Sequence, residues 1–549
     1  MKVFALLVII GAVACLAAAS PWQTLVVGKQ SPSERLATTD LMRYFTQVTG
    51  TVPSLLSPAE WRAAPRPAVI LGTPEGNDLR AQNLPMAGEV SEQGYWLINS
   101  HLETVEVVLA AGQSPEGATN AVYGLLRQLG FGFYFGSEAI PEKLPERLPI
   151  DSLVKEPVFR IRGVLPWYNF LTSPTTWDPI DHRAVADQLI RMGANFLGFH
   201  TYDAEPFAGY QENGAWQWGA PLLNTSANLW GTKPTPTSEF PFGLSQVFSQ
   251  PYFGAASTLA SDDAGARIQL EQNLMRDALA YARQRGLKTC LGFELSGDPL
   301  NSQYREIFLK RLNRLLDQYP GLDYVWLWQS ETQGAQGFAS QYNQHILPTG
   351  LKSGSRLPEY GDYWRKTFDR IVNRSKGIPP LYQDNEAGRR ARANEGARLA
   401  LFSELALSVF KQREGAPTLV ISGWGGDERI LSAEYYEGLD KLLPQDVVFS
   451  SLDNIGPLER VDRIYTELPA NRERWPIPWL ENDGDQWHPQ PYVHTYEAMA
   501  KYAHEGGSQG ILGIHWRTRD IEENLAYLVE YTWDPSLTEI GRASCRERV

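Results

Sequence analysis

Four acids each close a short apolar run: Glu294 in LGFE, Glu331 in VWLWQSE, Asp453 in VFSSLD and Glu481 in PWLE. A single acid after an apolar run is ordinary and often caps a helix. Four in one chain point to acid–base chemistry. Paired carboxyl groups suit glycoside hydrolysis: one acid protonates the leaving oxygen, and the other is the base or nucleophile. Glu331, Glu481 and Asp453 are the candidate catalytic groups, and Glu294 is a candidate substrate-binding acid. Other apolar runs end in His200 and Tyr202, in Trp424, and in His515, Trp516 and Arg517. Aromatic rings at such positions offer faces for a sugar ring, so His200, Tyr202, Trp424 and Trp516 are candidate binding residues. Arg162 and Arg517 are candidates for a uronate carboxylate, with ion pairing to the site's own acids as the alternative.

Other motifs are weaker. Asp483 and Asp485 in ENDGDQWHP read as turn residues. His488 and His494 have no Cys or acid at zinc-like spacing, so no metal site is expected. Neither a G-x-S-x-G elbow nor a phosphate-binding loop is present. Gly423-Trp424-Gly425-Gly426 reads as a tight turn that exposes Trp424. Acid–base hydrolysis needs no cofactor, and none is expected.

The elements that must position these residues alternate in type. Apolar runs span 159–165, 195–202, 288–295, 324–331, 417–424, 446–453, 476–481 and 510–517. Helical periodicity fills the intervals at 182–192, 263–285, 304–318, 394–412 and 491–504, and a last helix spans 521–532. Eight strand–helix units predict a (β/α)8 TIM barrel over 151–538, with its site at the carboxyl ends of the strands. The long connections 203–261 and 332–357 follow the second and fourth strands and would wall that site. Residues 20–150 read as a small α/β domain. Its predicted parts are a strand at 24–27, a helix at 33–46, a strand at 68–72, a hairpin at 94–98 and 105–110, and a helix at 118–129.

Bulk properties narrow the partner. With 43% apolar and 21% charged residues the chain reads as globular, and its net charge of −13 excludes a phosphate-binding basic face. No nucleic-acid partner is expected. The 17 Trp and 24 Tyr residues are many for this length; core packing accounts for most of them, and any exposed beside the barrel mouth would be stacking platforms for an oligosaccharide or polysaccharide partner. Residues 1–19 read as a signal peptide: Lys2, an apolar run from Phe4 to Ala14 too short to span a bilayer, then Ala17-Ala18-Ala19. The expected location is secreted or periplasmic, with lipid anchoring through Cys15 as the lesser alternative. No transmembrane segment is expected. Residues 539–549, EIGRASCRERV, resemble a translated sequencing adapter and are set aside, so the natural chain is expected to continue differently. Cys290 is then the remaining cysteine, expected to be buried in a strand.

The segment GATNAVYGLLRQLG at 117–130, with FGFY at 131–134, resembles the small domain that precedes the barrel in α-glucuronidases and β-N-acetylhexosaminidases. Arg160-Ile161-Arg162-Gly163 resembles the start of the first barrel strand in both families. The motif WQSETQG at 328–334 is similar to the strand-four motif of xylan α-glucuronidases. That resemblance implies that Glu331 is the general acid, and that Asp453, Glu481 or both activate water for inversion. Hexosaminidases want an Asp before that Glu, and Ser330 stands there instead. The implied activity is an exo-acting, inverting, α-glucuronidase-like hydrolase of plant or algal polysaccharide fragments. The alternatives are a hexosaminidase-like or other exo-glycosidase, a non-catalytic glycan-binding protein on a barrel scaffold, and a lyase using Tyr202 and His200.

Overall fold

The structure is a computed structural model. It describes residues 20–77, 88–102, 104–168, 173–202, 205–222, 255–295, 297, 299, 301–329, 386–423, 439–453, 468–481, 489–517 and 521–536, with backbone alone for 386–397 and Asp453. The chain divides into two compact units. One comprises the residues up to 131 with 140–154; the other comprises 132–139 with the residues from 155 onward.

The first unit is a six-stranded mixed sheet with helices. β1 (Thr24–Val27), β2 (Ser54–Leu56), β3 (Ala68–Gly72) and β5 (Val105–Gly112) run parallel, while β4 (Tyr95–Leu102) pairs antiparallel with β5. α1 (Pro32–Thr49) follows β1, α2 (Pro58–Ala63) follows β2, and α3 (Pro115–Gln128) follows β5. The sequence dictates where α1 begins and ends. Ser31 and Glu34 form a reciprocal capping box, Pro32 occupies the first turn, and Gly50 closes the helix at φ 71°. The hairpin is longer than its periodicity predicts. The short strand β2 and helix α2 escape the sequence reading because three to six residues carry too little pattern.

The second unit opens with the two-residue strands β6 (Gly132–Phe133) and β7 (Glu138–Ala139). They belong with the barrel: Glu138 pairs with Arg191 at 3.0 Å and accepts a hydrogen bond from Gln188. β8 (Ser152–Lys155) completes the edge of the first sheet.

Eight parallel strands then form the barrel. They are β9 (Ile161–Pro166), β10 (Phe196–Thr201), β13 (Lys288–Glu294), β14 (Tyr324–Trp328), β15 (Thr418–Ser422), β16 (Val448–Asp453), β17 (Arg474–Pro478) and β18 (Gly510–His515). β11 (Gln211–Glu212) and β12 (Ala215–Trp216) make a separate hairpin after β10. β18 pairs with β9, and a bridge from Trp479 to Ile514 closes the ring between the seventh and eighth strands. The crossover helices are α4 (Pro179–Met192), α5 (Ala264–Arg285), α6 (Ser302–Gln318), α7 (Glu386–Phe410), α8 (Val493–Glu505) and α9 (Glu522–Tyr531). The (β/α)8 barrel with a small α/β domain is therefore the fold that the alternating pattern predicts. Among the described residues no helix is long and apolar enough to cross a membrane.

Tryptophan dominates the lumen. Trp167, Trp326, Trp328, Trp475, Trp479 and Trp516 share one buried cluster with Cys290 and aliphatic residues from the other strands. Glycine makes the room. Gly292 sits opposite Trp326 in the ladder, and a Cβ there would lie 2.2 Å from the Trp326 Cβ. The Trp326 indole donates to Ser450 Oγ at 3.0 Å, and Ser450 Oγ donates to the Ile421 carbonyl at 3.1 Å. A buried polar ring edge is thereby satisfied inside an otherwise apolar barrel.

Candidate active site

Side chains alternate between lumen and helix layer along each strand. Phe196 faces the lumen, so His200, four residues on, shares its face; Cys290 does the same for Glu294. The ladder sets His200 opposite Gly292 and Glu294 opposite Trp328. His200, Glu294 and Trp328 thus meet at the carboxyl ends of the second, third and fourth strands. Trp167, just past β9, bridges His200 and stacks on its ring with centroids 3.9 Å apart at 26°. Trp328 and Tyr202 meet the imidazole edge-on, at 4.5 Å and 5.4 Å. Trp516 closes the aromatic floor, 6.2 Å from Trp167 and 4.8 Å from Trp479.

Burial pushes the His200 imidazole well below its ordinary value. The Nε2 atom lies 3.5 Å from Glu294 Oε1. That distance is within ion-pair range, but a neutral ring forms no ion pair, so the contact is that of an imidazole beside a carboxylate. It is also at the far edge of hydrogen-bond range.

Glu481 stands across the mouth, fully buried. Its Oε1 accepts the backbone N–H of Trp516 at 2.7 Å and that of Arg517 at 2.5 Å, and its Oε2 accepts from the Arg517 guanidinium. This set of donors ties the end of the seventh strand to the end of the eighth. Arg517 is thereby held by an acid of the site. The neighbouring His515 donates from Nδ1 to the Arg517 carbonyl at 2.7 Å, and burial pushes its imidazole down to about 4.

One expected binding residue lies elsewhere. Arg162 follows the lumen-facing Ile161, so its side chain turns into the helix layer. Its guanidinium donates to the Gly193 carbonyl at 2.8 Å and the Phe159 carbonyl at 3.2 Å, and stacks over Trp533 at 4.6 Å. Those partners precede the second and first strands, at the end of the barrel opposite the mouth. The expectation that Arg162 binds substrate is corrected accordingly: it pins the barrel base. Glu331 and Trp424 lie outside the described residues. Asp453 ends β16 opposite Pro478, and its side chain also lies outside them.

Two buried acids escape the sequence reading. Glu205, in the connection after β10, is 1% exposed. Desolvation raises its carboxyl well above the ordinary range; a backbone hydrogen bond from Tyr202 offsets part of this, and Glu294 and Glu271 add to it. Glu271 on α5 is pushed up to about 8 by desolvation, against the Leu222 N–H and Arg267. It accepts the Leu222 N–H at 3.1 Å, while Arg267 donates to the Leu222 carbonyl at 3.2 Å. Gln272 donates to the carbonyls of Pro206 and Gly209 at 2.8 Å and 3.0 Å. Together these bonds fasten the segment 205–222 to α5. The apolar setting of Glu205 in AEPFA is the one sequence signal for its burial. Among the described residues no group of three or more His, Cys, Asp or Glu side chains is arranged to hold a metal ion.

No family model matches the sequence, and no curated protein matches it. Solved structures do. One is a 4-O-methyl-α-glucuronidase of family GH115, described as specific for decorated arabinogalactans. It has a TM-score of 0.52 and 11% identity, over 94% of this chain and 57% of that one. Another is a GH138 enzyme described as targeting pectin rhamnogalacturonan II, with a TM-score of 0.50 and 10% identity, over 93% of this chain and 64% of that one. The chain therefore spans less than two thirds of the length of either. At these identities the likeness is one of fold.

Proposed function

We propose that this chain is an exo-acting glycoside hydrolase, α-glucuronidase-like and inverting, that acts on plant or algal polysaccharide fragments outside the cytoplasm. The observation that supports it best is the convergence of strand ends bearing Glu294, Asp453 and Glu481 on a single barrel mouth, beside a floor of Trp167, Trp328 and Trp516. Carboxyl groups supply the acid and base, and the buried rings of Trp167, Trp328 and Trp516 pack the floor beneath them. In this reading Glu331 is the general acid and Asp453 the base that activates water. Glu481, whose oxygens hold Trp516 and Arg517, orders the opposite wall and is the alternative base. The fold shared with two glycan-acting enzymes agrees with the reading.

A proton NMR time course tests it. The substrates are uronic-acid-capped xylo-oligosaccharides beside neutral and amino-sugar oligosaccharides. Release of glucuronic acid first as the β-anomer supports both the substrate and inversion. Cleavage of another sugar alone leaves the hydrolase and removes the glucuronide. Binding without release from any of them replaces the enzyme with a glycan-binding protein.

A further inference from the structure

The proposed reaction leaves the surroundings of His200 unexplained. Its ring is fully buried, so it offers no face to a sugar. Trp167, Trp328 and Tyr202 enclose it. A phenyl ring would fill such an aromatic slot without carrying two nitrogens into it. Neither His200 ring nitrogen has a hydrogen-bond partner in this structure, and buried polar atoms are rarely left so. The ladder explains why a carboxylate stands nearby. His200 is opposite Gly292, and Glu294 is two residues farther along the same face, the diagonal position on an adjacent strand. The Nε2 and Oε1 atoms are 3.5 Å apart, so a small rotation of either group closes a hydrogen bond.

We propose that His200 is a positioning residue: its Nε2–H donates to Glu294 and fixes that carboxylate at the barrel mouth to accept a hydroxyl of the bound sugar. The sugar contact rests on the proposed glycosidase function; the pair itself does not. A neutral N–H donor orients a carboxylate while leaving its negative charge in place, which a hydroxyl donor needs. Burial keeps the ring neutral, so one nitrogen retains a proton to donate.

The test combines a spectrum with kinetics. Nitrogen-15 NMR of the histidine rings at neutral pH needs no substrate, and with eight His in the chain the His200 signals are assigned by their loss in His200→Gln. The expected form is the neutral Nε2–H tautomer, with an Nε2 resonance that moves in Glu294→Gln. The Nδ1–H tautomer, or an Nε2 resonance indifferent to Glu294→Gln, overturns the pair. On whichever glycoside is turned over, His200→Phe keeps the ring packing and lowers kcat/KM by about tenfold or more. His200→Gln restores most of the loss by supplying an N–H donor. The double variant His200→Phe/Glu294→Gln is no worse than the poorer single variant. Additive losses, or equal damage from Phe and Gln, overturn the positioning role. Should His200→Phe not fold, the spectrum of Glu294→Gln still decides. A spectral pair in a protein that hydrolyses nothing removes the proposed function and the sugar contact, whereas hydrolysis without the pair removes this inference alone.

Discussion

Glu481 and Arg517 face each other fully inside the barrel mouth, and the guanidinium donates to one carboxylate oxygen while two backbone N–H groups serve the other. The side chains are 0% and 8% exposed. Removing one partner strands the other charge without water. Glu481→Ala is expected to lower stability by roughly 3–5 kcal/mol, and Arg517→Met by a similar amount. Urea unfolding of each variant checks this. A loss below about 1 kcal/mol for both would mean that the pair is open to solvent.

Glu331 tests the chemistry rather than the fold. In its proposed role of general acid it would contribute about 10²- to 10⁴-fold to turnover. Glu331→Gln should lose that factor on a substrate with a poor leaving group and keep the far-ultraviolet spectrum of the wild type. An activated aryl glycoside, whose leaving group needs little protonation, should be spared most of the loss. Equal activity of variant and wild type on both substrates would remove Glu331 from the mechanism.

The barrel is legible because its strands are short apolar runs separated by helical periodicity. The run from Lys288 to Glu294 is an example. Buried on both faces, such a run carries no alternation, so which residues face the lumen cannot be read from it. Sequence alone makes Arg162 a candidate substrate contact, although one residue of parity sends it to the helix layer and its place at the start of β9 sets it at the barrel base. Glu205 and Glu271 escape for a different reason: their burial arises from packing the 205–222 segment on α5, a long-range contact with no local pattern. The Glu481–Arg517 tie is likewise non-local, since 36 residues separate the two.

Gly292 reports on how tightly the lumen is filled. A Cβ added there would meet Trp326 Cβ at 2.2 Å and the Trp326 carbonyl oxygen at 2.7 Å, both too close for ordinary contact. Backbone on the neighbouring strand has no flexible end to swing aside. Gly292→Ala is therefore expected to destabilise by at least the roughly 1–3 kcal/mol typical of overpacking. Gly292→Ala/Trp326→Gly, which removes the Cβ at 326, should show the Gly292 substitution costing less than in the wild type. Thermal melts of the four proteins give the coupling, and an additive cycle would place Gly292 away from Trp326.

Stability should fall on both sides of neutrality, for opposite reasons. Glu271 has its folded carboxyl raised to about 8 from an ordinary value of 4.5. Above pH 4.5 the unfolded chain loses this proton while the folded chain keeps it. The folded state then holds more protons, and stability declines as pH rises from about 4.5 to about 8. His182 and His515 act the other way. Burial lowers both to about 4 from 6.5. Below about pH 6.5 the unfolded chain takes up protons that these buried rings refuse, and stability declines as pH falls toward about 4. Glu271→Gln keeps an acceptor for the Leu222 N–H but cannot ionise. It should flatten the alkaline limb and steepen the acid limb between about pH 4.5 and 6.5, where Glu271 and the two histidines oppose each other in the wild type; urea midpoints at about pH 5, 6.5 and 8 read both changes. An alkaline limb as steep in the variant as in the wild type would show that Glu271 is not the group that titrates.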